Sequence, residues 1–285
     1  MIGRRRGSAS ALLVIAAVVC WAPIWFMVIV ATRDSATATT FPPPLLPGGD
    51  LSANLERVLA TVSFSRAVLN SVLAAACVAV GGALLCALAG YAFAKLRFPG
   101  RHVLFAVVLV GLTLPAQLAV IPSYLLVSAL GWVDSLSAVI VPGLASAFGV
   151  FWMSQHIAAA LPDELLAAAS LDGCGPGRAF WHVALPLVRP GAAVLAGILF
   201  VSTWSDFMWP FIVLRSPDSQ TIQVALSALQ SEYGVDYALV FAGALLATAP
   251  VVLLAALGGR WMTRGLIPRP ANRGARTALS SPQGR

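Results

Sequence analysis

Six stretches of this chain are long and apolar enough to cross a bilayer. Residues 11–31, 67–94, 103–133, 135–162 and 237–259 carry no charged side chain, and 190–214 carries only Asp206. At 1.5 Å per residue, a helix needs about 20 apolar residues to cross a hydrocarbon core ~30 Å thick. Inside that core the backbone must satisfy its own hydrogen bonds, which a helix does and an open loop does not. The stretches therefore predict an all-α polytopic membrane protein with six transmembrane helices. The third and fourth exceed one crossing, so each must include a turn or an interfacial piece. Composition agrees, with 59% hydrophobic residues, 10% charged residues and a mean hydropathy of +0.87. Soluble domains carry about a quarter charged residues, and a soluble fold this poor in charge would expose large apolar patches. An ordinary soluble enzyme, a disordered chain and a nucleic-acid-binding domain are excluded, although the net charge is +7.

The basic residues orient the helices. Lys95 is the only lysine, and arginine makes up the rest of the 18 basic residues. With loops assigned alternately to two sides, all but Arg33, Arg57, Arg66 and Arg215 fall on the side of the N-terminus, residues 95–102, residues 163–189 and the C-terminal tail. Cytoplasmic loops carry the excess of Lys and Arg, so both termini are expected in the cytoplasm, with an even number of spans. The organisation read from the sequence is a cytoplasmic N-terminus (1–10), a first transmembrane helix (11–31) and an extracytoplasmic loop (32–66). A five-helix core (67–259) follows, with a cytoplasmic loop at 157–190, and then a basic tail (260–285). The tail has few large apolar residues and is expected to be disordered. Arg4-Arg5-Arg6 and Ala36-Thr37-Ala38 frame the first span as they would a signal peptide. Its apolar run is longer than the usual 7–15 residues of such a peptide, which favours an uncleaved anchor.

Within these limits, small residues and prolines carry information. Gly82, Cys86 and Gly90 recur at helical spacing in the second span, where small side chains let a neighbouring helix approach. Pro115, Pro122, Pro142 and Pro250 interrupt later spans; transport proteins build pathways from broken helices, and membrane helices also carry proline for other reasons. Leu51–Phe64 reads equally as a surface amphipathic helix or a spacer. Cys20, Cys77, Cys86 and Cys174 form neither a disulfide framework nor a zinc pattern.

No catalytic constellation is visible. His102, His156 and His182 are not spaced as ligand pairs, and Lys95 follows Ala94 rather than the glycine of a phosphate-binding loop. Any energy source must sit on another subunit. The informative segment is the longest internal polar loop. Pro162, Asp163 and Glu164 suit a helix N-terminus, Leu165 to Leu171 are strong helix formers, and Gly173 stands where a left-handed cap belongs. Pro176 then opens a second short helix through Phe180, Trp181 and Val183. Leu165, Leu166, Leu171, Phe180 and Trp181 are too apolar for a solvated loop. They need a surface, which is either a partner or the protein's own helix ends and the lipid headgroups.

The segment resembles the EAA loop of ABC-importer permeases, a pattern close to E-L-x-E-A-A-x-x-D-G followed by I-x-L-P. Glu164, Leu165, Ala168, Ala169, Asp172 and Gly173 match it, as do Val183, Leu185 and Pro186 at its end; Ala167 replaces the usual second Glu and removes one charge. Gly90 to Arg101 (GYAFAKLRFPGR), Leu114-Pro115, Gln117, Ile121-Pro122 and Tyr124 are similar to the carbohydrate-uptake branch, the maltose- and glycerol-phosphate-type permeases. So is Trp204-Ser205-Asp206-Phe207-Met208-Trp209-Pro210, where Ser205 replaces Asn. The resemblance runs from about residue 10 to 267 and implies a MetI-like ABC importer permease fold.

It also implies a partner set: a second homologous permease, two ABC ATPase subunits that use ATP and Mg, and an extracytoplasmic solute-binding protein, all in a lipid bilayer and with no nucleic acid. The chain itself would bind no cofactor and no metal and would have no catalytic residues. In such a system the ATPases grip the loop through Glu164, Leu165, Ala168, Ala169, Asp172, Gly173 and Pro186, and closure of the ATPase pair rocks the spans to admit solute. Gln117, Trp204, Asp206 and Trp209 are the candidate substrate pathway. Asp206, the one formally charged residue within a predicted span, either faces that pathway or caps and pairs near the outer interface. The function expected is import of a carbohydrate or related small polar solute. The alternatives are a permease for a non-sugar solute, a stand-alone secondary transporter, which one intramembrane carboxylate argues against, and a non-transporting scaffold, which has no need of the helix–Gly–helix loop.

Overall fold

The computed structural model describes residues 2–38, 40–231 and 234–266, and the side chains of 12–37, 40–230 and 235–253. The chain begins with α1 (Ile2–Ala31), α2 (Ser35–Ala38), α3 (Leu51–Thr61) and α4 (Phe64–Cys77). A π-helical turn over Val78–Gly82 leads to α5 (Ala83–Lys95) and α6 (Arg101–Thr113), and a 3-10 turn over Ala116–Ala119 leads to α7 (Val120–Ala129), α8 (Ser137–Gly143) and α9 (Ala147–Ala160). Next come α10 (Asp163–Leu171), α11 (Pro176–Ala179), a second π turn over Phe180–Ala184, α12 (Leu185–Ser205), α13 (Met208–Val213) and α14 (Ile222–Ser227). A hairpin of β1 (Gln230–Ser231) and β2 (Gly234–Val235), paired Gln230 to Val235 and Ser231 to Gly234, precedes α15 (Tyr237–Leu266).

Four of the described segments are long and apolar enough to cross a membrane: Leu12–Ala31, Phe64–Lys95, Ser137–Ala160 and Pro176–Ser205. A fifth is broken, with Arg101–Thr113 and Ala116–Ala129 meeting at 104°. The break follows from Pro115, which is extended (φ −60°, ψ 127°) and which disfavours the helical conformation in the residue before it. The shorter apolar helix Tyr237–Leu253 occupies the sixth stretch. α15 continues to Leu266 and so takes in the start of the segment read as tail. Residues 267–285, and with them most of that tail, lie outside the described residues.

The chain divides into two compact units. The first comprises Met1–Gly82, Leu114–Ala145 and Ile198–Ala256. Its packing begins at the end of α1, where Ile29, Val30 and Ala31 are buried while Leu12 to Val19 stay largely exposed. Helix termini leave carbonyls without partners, and Asn54 on α3 supplies them: its Nδ2 donates to Ala31 O at 3.0 Å and to Arg33 O at 2.8 Å. Asn54 and Val58 lie one turn apart on the buried face of α3, which makes Leu51–Thr61 the amphipathic helix the sequence allowed. Ala67, Ala75, Trp204, Ile222, Ala242 and Ala247 continue this core. Midway along α4, Asn70 Nδ2 donates to Asp218 O and Gln220 O, and Ser71 Oγ accepts from Ile222 N–H at 2.8 Å.

Asp134 is the second organiser of this unit. It takes a left-handed conformation (φ 65°), which short polar residues tolerate. Its Oδ1 accepts from the Arg215 and Ser216 N–H groups, each at 2.8 Å, and from the Ser219 hydroxyl. That hydroxyl, followed by the Ser216 amide, holds the carboxyl down at about 2. A carboxylate with a lowered pKa in the folded state contributes stability above its ordinary value near 4, and that stability is lost as pH falls toward the folded value. The wild-type protein in detergent should therefore lose thermal stability between pH 4 and pH 2. Asp134→Asn, which keeps the backbone conformation, should show a shallower fall across the same window in a melting series; identical slopes would remove Asp134 from the account.

The second unit comprises Ala83–Thr113, Ser146–Gly197 and Leu257–Arg285. Its centre is the α5–α9 contact. A Cβ on Gly90 would lie 2.7 Å from Met153 Cβ and 2.8 Å from the backbone of Met153 and Ser154, and one on Gly149 would lie 2.5 Å from Cys86 Sγ. The two helices thus meet backbone to side chain at reciprocal points one turn apart. Ser146 caps α9 by accepting from Gly149 N–H at 3.0 Å, and Cys86 and Met153 are buried. Replacing Gly90 with Val should push these helices apart and cost about 1–3 kcal/mol, the usual range for overpacking. Chemical denaturation in detergent would measure this, with Gly177→Ala, whose Cβ meets nothing within 4 Å, as the variant expected to match wild type.

Candidate functional site

Residues 157–190, in the second unit, leave Leu165, Leu171 and Trp181 exposed. Leu161 is buried and extended, and Pro162 (φ −64°, ψ 143°) ends α9 and begins α10. Asp163 and Glu164 occupy the first turn of α10, where carboxylates favour the positive helix end. The helix closes in a Schellman cap: Cys174 N–H donates to Ala169 O at 2.9 Å and Gly173 N–H to Ser170 O at 3.1 Å. Gly173 has φ 75°, a conformation that glycine adopts without the steric cost a Cβ would add. Pro176 opens α11, and Ala179 N–H closes back on Gly175 O at 2.9 Å.

Two contacts fix this helix–turn–helix to α5. Phe180 is 1% exposed, with its ring 5.4 Å from that of Tyr91 and 5.2 Å from that of Trp181. Lys95 Nζ donates to Asp163 Oδ1 at 2.5 Å; the Lys95 side chain is 9% exposed and that of Asp163 84%. Only Ala169 is fully buried on α10. Of the apolar residues that required a surface, Phe180 finds it within the chain and Leu166 is half-buried, while Leu165, Trp181 and above all Leu171, 91% exposed, do not. Glu164, Ala168, Asp172, Gly173 and Pro186 are exposed as well. The result is a short, capped helix that presents Leu165 and Leu171 between carboxylates.

The other candidates lie in the first unit. Gln117 is exposed on the 3-10 turn beside the 104° break. Trp204 is 2% exposed, stacked on Phe200 and donating from Nε1 to Ala247 O at 3.2 Å. Trp209 Nε1 donates to Ala138 O at 2.9 Å. Both indoles are thus engaged in packing. Asp206 stands between the end of α12 and the start of α13, half-buried, and receives the backbone N–H groups of Trp209 and Met208. Among the described residues no cluster of His, Cys, Asp or Glu is placed to hold a metal ion. Sequence reading missed Lys95 and Tyr91 as partners of the loop. The signal for Lys95 was its being the single lysine, at the end of a span.

Over residues 79–270 the chain matches the family described as binding-protein-dependent transport system inner membrane component. It belongs to that family. The permease protein UgpE of the sn-glycerol-3-phosphate transport system from Agrobacterium fabrum is 31% identical over 91% of this chain and 95% of its own length. The permease protein AraQ of the arabinooligosaccharides transport system from Halalkalibacterium halodurans is 34% identical over 69% of this chain and 70% of its own. A bacterial ABC transporter involved in the import of the acidic polysaccharide alginate contains a chain of the same fold. Its TM-score is 0.76 at 22% identity, covering 90% of this chain and 96% of that one. This permease-family member is therefore an inner-membrane, multi-pass component of a binding-protein-dependent ABC transport system, and its relatives are transport permeases rather than enzymes.

Proposed function

We propose that this chain is a translocation subunit of an ABC importer for a carbohydrate or a related polar solute, with ATP and Mg used on separate ATPase subunits that dock on residues 157–190. The observation that carries the reading is the capped α10 helix, which leaves Leu171 91% exposed beside Asp172. With Leu165 and Trp181 also exposed on the same loop, Leu171 adds to apolar surface of the kind that marks an interaction site. Glu164, Leu165, Ala168, Asp172 and Gly173 form the docking face, with Ala169 buried behind them on the side that packs on the chain, and Pro186 terminates the segment. The sugar and glycerol-phosphate names of the relatives support the solute class.

The reading includes six spans with both termini in the cytoplasm, a second permease beside this one, two ATPases beneath and a solute-binding protein outside. Closure of the ATPase pair draws the two loops together and turns the pathway outward, and hydrolysis resets it. Gln117 and Asp206 offer polar groups to the pathway, with Trp204 and Trp209 fixing the wall behind them.

A β-branched residue at position 173 would be strained at φ 75° by about 1–3 kcal/mol and would release the cap. Gly173→Val should reduce solute uptake to less than about a tenth of wild type while membrane content of the protein stays unchanged by immunoblot. Normal uptake by that variant would remove the loop from the mechanism.

A further inference from the structure

Tyr91 and Lys95 lie four residues apart on α5, so they share one face of its last turn. Lys95 binds Asp163, the first residue of α10, and Tyr91 packs on Phe180, where the second limb of the loop turns toward α12. One helical turn thus holds both limbs of the helix–turn–helix at their roots. Resting on the coupling role proposed above, we infer that the last turn of α5 is the element through which loop motion reaches the membrane core, with Lys95 and Tyr91 as positioning residues.

The physical case rests on how the parts are held. α5 is locked backbone to side chain against α9 at Gly90 and Gly149, so a displacement of α5 carries α9 with it. Packed interiors transmit displacement because they have little free volume. The loop also continues covalently into α9 and α12. On the α9 side the extended Leu161 and Pro162 break the helix, and on the α12 side the helix runs on through the π turn over Phe180–Ala184. The side-chain clamp on α5 bypasses the break at Pro162 and adds a lateral tie beside the π turn.

The charges give the clamp an asymmetry. The Lys95 ammonium sits against the N-terminal end of α10, an end that favours anions, and it is buried to 9% exposure. Its position there depends on the Asp163 carboxylate. Asp163 is 84% exposed and keeps both water and the helix end if Lys95 is removed. Losing Asp163 strands a buried cation, whereas losing Lys95 frees an exposed anion. Asp163→Ala is therefore the more damaging change.

The test uses the assembled transporter in lipid nanodiscs or vesicles, with its ATPases and binding protein, and reads three quantities: co-purification of the ATPases, ATP hydrolysis, and solute moved per ATP hydrolysed. Lys95→Met and Tyr91→Ala should retain the ATPases and hydrolysis but lower solute moved per ATP by about tenfold, the scale of one charge-assisted hydrogen bond. Asp163→Ala should lower it further, and Lys95→Arg should restore it. Wild-type stoichiometry in Lys95→Met and Tyr91→Ala would overturn the inference, and so would loss of ATPase co-purification, which would make these residues part of docking. A wild-type complex that binds no ATPase would instead overturn the importer reading itself.

Discussion

The intolerance of a bilayer core for unpaired polar groups organises this protein. It forces the backbone into helices, confines nearly all charge to the loops, and leaves helix association to close packing and a few hydrogen bonds. The α5–α9 contact shows the consequence. With no hydrophobic drive between helices in lipid, the pair is held by approach alone, and Gly90 and Gly149 allow it because a Cβ at either position would lie under 3.0 Å from Met153 or Cys86. The same scarcity gives each polar group outside the spans a distinct task. Asn54 closes the end of α1, Asp134 gathers the residues after α13, and Lys95 ties α5 to α10.

The loop at 157–190 combines two opposed surfaces. Its inner side is anchored by Phe180, Ala169 and Lys95, and its outer side leaves Leu165 and Leu171 uncovered. Here the cap at Gly173 closes the helix, with Leu171 and Asp172 exposed beside it. The substitution Ala167 leaves this arrangement with acidic groups only near its two ends, at Asp163, Glu164 and Asp172, and an apolar centre.

Much of the architecture was legible because bilayer physics writes long signals. Charge-free runs mark the helices, and Gly82, Cys86 and Gly90 mark a close-packed face that the structure sets partly against α9. Asp163, Gly173 and Pro176 gave the start, turn and restart of the loop almost residue by residue, since caps and proline act locally. Contacts between distant segments were not legible. Nothing near Lys95 in the sequence points to Asp163, and nothing near Asn54 points to the end of α1. The 104° bend was legible only as an interruption at Pro115, because proline fixes where a helix stops and neighbouring packing fixes the angle. Trp204 and Trp209 look like ligand-facing aromatics in sequence, yet their indole N–H groups are satisfied by carbonyls of α15 and α8, a pairing that only the packed structure reveals.

The central claim is that the outer side of α10 is covered by an ATPase subunit. It is tested most directly by placing a photoreactive side chain at position 171 in the assembled transporter and irradiating in the native membrane. A second protein carrying the group at Leu118, 69% exposed on the turn beside the bend, serves for comparison. The account predicts an adduct between position 171 and an ATPase subunit, and none from position 118. Adducts from position 171 with lipid or with this chain alone would contradict it.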